Sequence, residues 1–176
     1  VPASNPEAFK RSLQDALAAI TNLTASRSNV SANSTALREG TYVYQASYVG
    51  GVWTGDLKAF PVKDGEISGT ASWSAAPLMK YASRKVMSEG GDFPNAAGKA
   101  ALDAVDVDIV EYIKGDQSKE QSKTNGKFRN RETLLGDIVY SSPTFVEGEV
   151  PLDPTKDVDD TVYVGANDGM LHAINA

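Results

Sequence analysis

Cysteine is absent from this sequence, histidine occurs once and tryptophan twice. Without cysteine there is no disulfide, no thiol nucleophile and no zinc–thiolate site. The single histidine, His172, lies between Leu171 and Ala173 in a strand pattern, so a Ser/His/Asp triad would have to be built on it alone. A packed, hydrogen-bonded strand residue is the better reading of His172, and no further ligands have zinc spacing. No apolar run approaches the ~18 residues of a transmembrane helix. Positive charge is also in short supply: 17 Lys and Arg stand against 23 Asp and Glu, for a net charge of −6. Nucleic-acid binding needs clustered cations to release counterions, and the densest basic run, "KFRNR", is short.

The 176 residues, 41% apolar and 23% charged, suit one ordinary domain or two small ones. At this size ~70% of the unfolded surface can be buried. The sequence begins on Val1, and no charged and then apolar leader precedes the first helical pattern, which reads as a piece of a longer chain.

The pattern predicts a mainly β, α+β fold with an amphipathic helix over residues 1–23. Asn5 is its N-cap and Pro6 its first residue, and Phe9, Leu13, Ala16, Leu17 and Ile20 form its apolar stripe. Residues 24–39, rich in Ser, Thr and Asn, read as a polar linker. Their glycosylation sequons, together with the one at Asn22, are what such a composition produces by chance. Residues 40–133 read as a β-rich region with one helix. Alternation over Thr41 to Val62, with turns at Gly50-Gly51 and Asp64-Gly65, predicts an antiparallel sheet that buries Tyr44 and Trp53. Trp73 is expected in the core and a further strand near Arg84 to Met87. A helix is expected to end at Lys114, with Val107, Val110, Tyr112 and Ile113 as its apolar face. Residues 134–176 begin with a strand over "TLLGDIVYSSPTFV". They end in a hairpin in which Asp168-Gly169 form a type I′ turn between Thr161–Ala166 and Met170–Asn175. Both arms carry apolar residues on both faces, so the hairpin expects cover on both sides.

Six segments in fixed order, "WTGDLKAF", "SWSAAPLM", "SRKVM", "VEYIKGD", "FRNRETLLGDIVYSSPTFV" and "VYVGANDGMLHAIN", resemble the PilC/PilY proteins of bacterial type IV pili. The resemblance spans roughly Thr41 to Ala176. It implies a large exported protein of the bacterial surface and pilus tip that acts in adhesion and in pilus assembly and retraction. It further implies that residues 134–176 are the incomplete first blade of a C-terminal β-propeller. The implied partners are minor pilins, host or abiotic surfaces and the remaining propeller chain. No catalysis and no resident cofactor are expected.

Two candidate sites follow, each with a plainer alternative. Asp153, Asp157, Asp159 and Asp160, in a loop that also holds Glu147 and Glu149, are oxygen donors suited to calcium, and the resemblance implies a calcium loop somewhere in the family. Their spacing lacks the central Gly and terminal Glu of the twelve-residue calcium loop, so a solvated acidic loop is the alternative. Lys114-Gly115-Asp116 is similar to integrin-recognised tripeptides, although Lys does not reproduce the bidentate contacts of the usual Arg. Its alternative is a helix stop, with Lys favouring the dipole and Gly the left-handed cap. Asp56 and Asp137, each after a Gly, have nothing further to mark them as a glycoside-cleaving pair. Trp53, Trp73, Tyr42, Tyr44 and Tyr48 can stack on sugars, but at strand spacing they read as core. The rival functions are a quinoprotein-like dehydrogenase binding PQQ, because "YVGANDGMLHAIN" also resembles quinoprotein hairpins, and a carbohydrate-binding module.

Overall fold

The computed structural model describes residues 25–32, 40–64, 66–103, 106–148 and 159–176. The expected helix over 1–23 and the candidate ligands Asp153 and Asp157 lie outside them. The described residues are mainly β, in antiparallel sheets with a few short helices.

Two compact units divide the chain. The first joins the described residues up to Ser74 with those from Gly136 onward. Its larger sheet has the order β1 (Ala25–Ala32), β2 (Tyr42–Val49), β3 (Thr54–Lys63), β4 (Glu66–Ile67), with β5 (Trp73–Ser74) also paired to β3. Strand β1 corrects the expectation of a linker there. Residues 25–32 contain neither Pro nor Gly, so nothing blocks pairing with β2, and a register shift between Arg27 and Val30 absorbs the irregularity. Composition alone cannot reveal this, because the partner strand supplies the ladder.

Alternation decides which side chains enter the core. Tyr44 and Ala46 on β2 stand opposite Ala59 and Leu57 on β3, and all four are buried. Tyr44 lies against the rings of Tyr42, Trp73 and Phe145, the last stacked at 5.8 Å. Burial, then the charge of Asp160 and the proximity of Tyr42, push its hydroxyl up to about 12. Trp73 is only half-buried.

Trp53 is the clear correction in this sheet. It is 57% exposed, at φ 57° in the turn that joins β2 to β3. The strand begins at Thr54, so Trp53 lies one residue outside it. A bulky residue in the left-handed region is uncommon and costs roughly 1–2 kcal/mol.

Phe145 belongs to β8 (Thr144–Val146), which with β9 (Thr161–Gly165) and β10 (Leu171–Asn175) forms a three-stranded sheet of order β10-β9-β8. The expected long strand over 133–146 shrinks to β8. Leu134, Leu135 and Ile138 are buried without a ladder, and Gly136 makes a single bridge to Thr54. Pro143, just before β8, lacks the N–H that a ladder needs. The β9–β10 hairpin forms in the expected place, with Leu171 opposite Gly165. Its turn is not type I′, since Gly169 (φ 83°) has positive φ and Asp168 does not. Instead Gly169 N–H donates to Ala166 O at 3.1 Å and Ala166 N–H to Met170 O at 3.0 Å, the three-residue loop that ends on a left-handed glycine.

The second unit spans Ala75–Leu135. It holds helix α1 (Ala75–Leu78), the two-residue strands β6 (Met87–Ser88) and β7 (Gly91–Asp92), α2 (Ala96–Ala101) and α3 (Val107–Lys114). The strand expected near Arg84 is thus reduced to β6. Within this unit Phe93 and Val110 form one buried cluster, with Val86, Ile109 and Ile113 packed against them. Val107, expected on the apolar face of α3, is exposed because it is the first residue after the N-cap Asp106 and precedes the first full turn.

Truncation separates the two environments. Leu57→Ala should cost about 2–5 kcal/mol, whereas Trp53→Gly, which removes exposed surface and relieves the left-handed backbone, should change stability by less than about 1 kcal/mol. Urea denaturation of both variants measures the difference.

Candidate functional site

Three separate features of the described residues gather polar groups: a part-buried polar knot beneath the β9–β10 hairpin, the end of α3, and the two aspartates that precede β9.

The knot is built from backbone approach. Thr54 bridges Gly136, and a Cβ on Gly55 would lie 2.1 Å from Gly136 O. Gly136 in turn allows Asp168 close: a Cβ there would meet Asp168 N and Cβ at 2.8 Å. Only glycine fits both positions. Across this contact Gly136 N–H donates to Asp168 Oδ2 at 3.0 Å, and Met170 N–H donates to Oδ1 at 3.0 Å. His172 Nε2 lies 2.9 Å from Oδ2 and 3.1 Å from Oδ1. One residue on each side, Asp137 O accepts from Asn167 N–H at 2.9 Å and Asp137 Oδ2 from the Asn167 side-chain amide at 2.8 Å. Gly136-Asp137 and Asn167-Asp168 are therefore zipped together across a sequence separation of 30 between Asp137 and Asn167. Burial raises the Asp168 carboxyl, but the hydrogen bond and charge of His172 and the amides of Gly136 and Met170 outweigh it and hold the group below 3.8. His172 is buried in β10 with its Nε2 committed to Asp168, which is the packed role expected for it. Asp56 joins Ser74 Oγ at 2.6 Å and Lys58 at 3.7 Å, so it and Asp137 serve different partners.

Lys114-Gly115-Asp116 closes α3. Gly115 is buried at φ 118°, and its N–H caps Glu111 O and Tyr112 O. A Cβ there would lie 2.8 Å from Leu134 Cδ1. Lys114 bonds Glu111 at 3.0 Å and lies over the Tyr81 ring, and Asp116 Oδ1 accepts from Ser118 N–H. The Tyr81 hydroxyl donates to Glu111, which with Lys114 holds that carboxyl below its ordinary value. The flanking backbone is tied down by Arg131. Its guanidinium reaches Glu120 Oε1, Tyr112 O and Asp116 O, each at 2.9 Å, and stacks on the Tyr112 ring at 3.7 Å. Phe128 stacks on the same ring at 4.5 Å. The "FRNR" run, noticed in the sequence as a weak basic patch, thus supplies a structural clamp.

Of the acidic loop's carboxylates, Glu147, Asp159 and Asp160 are described, and Glu147 is exposed. Asp159 Oδ2 accepts from the Asn175 side chain and Asp160 Oδ1 from Gly148 N–H. Among the described residues no group of three acidic, His or Cys side chains is placed to hold a metal ion. No described helix is long and apolar enough to cross a membrane.

These features define a mainly antiparallel β protein whose "GDI" and "NDGMLH" segments act as mutual anchors. No family model and no solved structure matches the chain. Among curated proteins, it is 31% identical over 208 residues to the Type IV pilus biogenesis factor PilY1 homolog of Xylella fastidiosa strain Temecula1. It is 29% identical over 225 residues to the Type IV pilus biogenesis factor PilY1 of Pseudomonas aeruginosa strain PAK. The alignments take in 99% and 98% of this chain but only 16% and 19% of those relatives. Nearly the whole chain is thus similar to part of proteins of the PilY1 family, as the order of its motifs implied.

The knot makes stability acid-sensitive. Because the folded Asp168 pKa lies below its unfolded value, its contribution is complete above the ordinary carboxylate range and lost as pH falls below 3.8 and through the folded value. Asp168→Asn should lower stability at neutral pH by on the order of 3 kcal/mol, through weakened bonds to buried donors, and should flatten the acid limb seen in urea midpoints between neutral and acid pH. Gly115→Ala should cost roughly 1–3 kcal/mol through its left-handed backbone, measured the same way.

Proposed function

We propose that this chain is a segment of a type IV pilus biogenesis factor that is exported to the bacterial surface and works at the pilus tip, in adhesion and in pilus assembly and retraction. The observation that carries the reading is the match of nearly the whole chain to proteins named as type IV pilus biogenesis factors. Minor pilins and host or abiotic surfaces are the partners, and the segment works without catalysis or a resident cofactor. Strands β8, β9 and β10 begin a propeller blade. In support, the sheet carries Val162, Val164 and His172 on its buried face and Leu171, Tyr163 and Val146 on the other, so it has apolar residues for two neighbours.

Removing the codons for residues 25–176 from the chromosomal gene, in frame, should reduce surface pili several-fold on electron-microscope grids and abolish pilus-driven surface spreading. Unchanged piliation and spreading would reject the reading.

A second reading has one observation in its favour. The exposed Trp53 offers an indole face for a sugar ring, whereas Tyr44 is buried in the core. A glycan array probed with the chain and with Trp53→Ala tests it: a signal lost in the variant supports a carbohydrate contact, and an empty array removes it.

A further inference from the structure

The sequence contains one Asn-Gly pair, Asn125-Gly126, in the loop that follows α3. Such a pair is chemically labile. Once the Gly126 backbone nitrogen gives up its proton it can attack Cγ of Asn125; a C–N bond forms, the side-chain nitrogen leaves as ammonia, and a cyclic imide results. Water then opens the ring at either carbonyl, returning a proton to the Gly126 nitrogen and leaving aspartate or isoaspartate. Glycine in the second position favours the attack, because no side chain shields its nitrogen. Water is the sole co-reactant.

The folded loop withholds that nitrogen. Gly126 N–H donates to Lys123 O at 3.0 Å, and of the two residues between them Asn125 has positive φ, 59°, the pattern of a type II turn. The Gly126 amide thus faces Lys123 O, and its nitrogen cannot meet Asn125 Cγ until the peptide unit between them rotates and this bond breaks. The neighbouring backbone resists the rotation: a Cβ on Gly126 would lie 1.9 Å from Glu120 O. The following residues are pinned as well. Lys127 N–H and Phe128 N–H both donate to Lys119 O, at 2.8 and 3.0 Å, and Gln121 N–H donates to Phe128 O at 2.8 Å. Glu120 is in turn fixed by Arg131, which reaches Oε1 through Nε at 2.9 Å and Oε2 through its backbone N–H at 3.2 Å. Asn125 is itself exposed, so water reaches the site whenever the turn opens.

We propose that Asn125 is a site of spontaneous deamidation gated by opening of the 117–131 loop, with the Glu120–Arg131 pair as its latch. While the latch holds, the reaction runs at the rate of an unfolded chain multiplied by the fraction of time the turn is open. The isoaspartate product does not fit back. It places an extra main-chain carbon inside the ring closed by the Gly126–Lys123 hydrogen bond, so an opening that reacts leaves a permanent mark and an open loop. The inference rests on this loop alone and is independent of the pilus reading.

Peptide mass spectrometry of the full-length gene product, held warm in mildly alkaline buffer, tests the proposal. Folded protein should convert Asn125 at least about ten-fold more slowly than the same protein in denaturing urea; equal rates would overturn the gate. Arg131→Lys, which loses the planar fork, should raise the folded rate several-fold and speed hydrogen exchange at the Gly126 amide by the same factor, since both need the same opening. Glu120→Gln keeps an acceptor for Arg131 while removing the charge, and should move both rates the same way by less, with the amide of Val110 still protected. Wild-type deamidation rates in both variants would overturn the latch, and so would loss of Val110 protection in step with Gly126, which would assign the opening to unfolding of the whole unit. In the isoaspartate fraction the amides of Lys127 and Phe128 should lose protection at least about ten-fold; retained protection would overturn the one-way step.

Discussion

Asp168 gathers, on one carboxylate, the amide of Gly136, the amide of Met170 and the ring of His172, and through this cluster the last hairpin is held to a segment far earlier in the chain. The contact needs the missing side chain of Gly136, and Gly136 in turn needs Gly55 beneath it. Three consecutive layers of backbone thus close on one another, from β3 through Gly136 to the hairpin loop. A carboxylate accepting several bonds in a site mostly withdrawn from water is worth more than its surface counterpart, because solvent competes poorly there. The same withdrawal would make the groups around it costly if the carboxylate were removed.

The knot also explains why the polypeptide can leave this unit at Ser74 and return at Gly136. The residues on either side of the excursion are secured independently, β5 by its pairing with β3 and Gly136 by its bridge to Thr54 and its bond to Asp168. The excursion has its own anchor in Arg131, which satisfies two carbonyls at the end of α3 and a buried Glu120 while its flat cation lies on Tyr112. A lysine could not make this set of contacts, since it lacks the planar fork. Each unit is therefore organised by a charged group that spends hydrogen bonds on backbone.

Alternation made Thr41 to Val62 legible as a sheet, and the Lys-Gly pair made the end of α3 legible as a helix stop, because both depend on neighbours close in sequence. The candidate sites were less accessible. Asp168 and Gly136 carry no local mark of their partnership, and Arg131 was visible only as one of several basic residues. Trp53 was misplaced by one position at a strand boundary, and one position is enough to move a side chain from the core to water. Strand β1 was missed because small polar residues are poor strand formers until a neighbour offers its edge.

The sequence by itself determined the β-rich class, the hairpin at the C-terminal end, the absence of thiol and disulfide chemistry and, through the order of its motifs, the family. Those rest on composition and on periods of two and four residues, which a linear string records. Only the tertiary structure decided that Gly136 joins the first unit and that His172 and Asp168 are mutual partners. Those depend on which strand lies beside which and in what register, a relation between distant residues that the chemistry of neither one specifies alone.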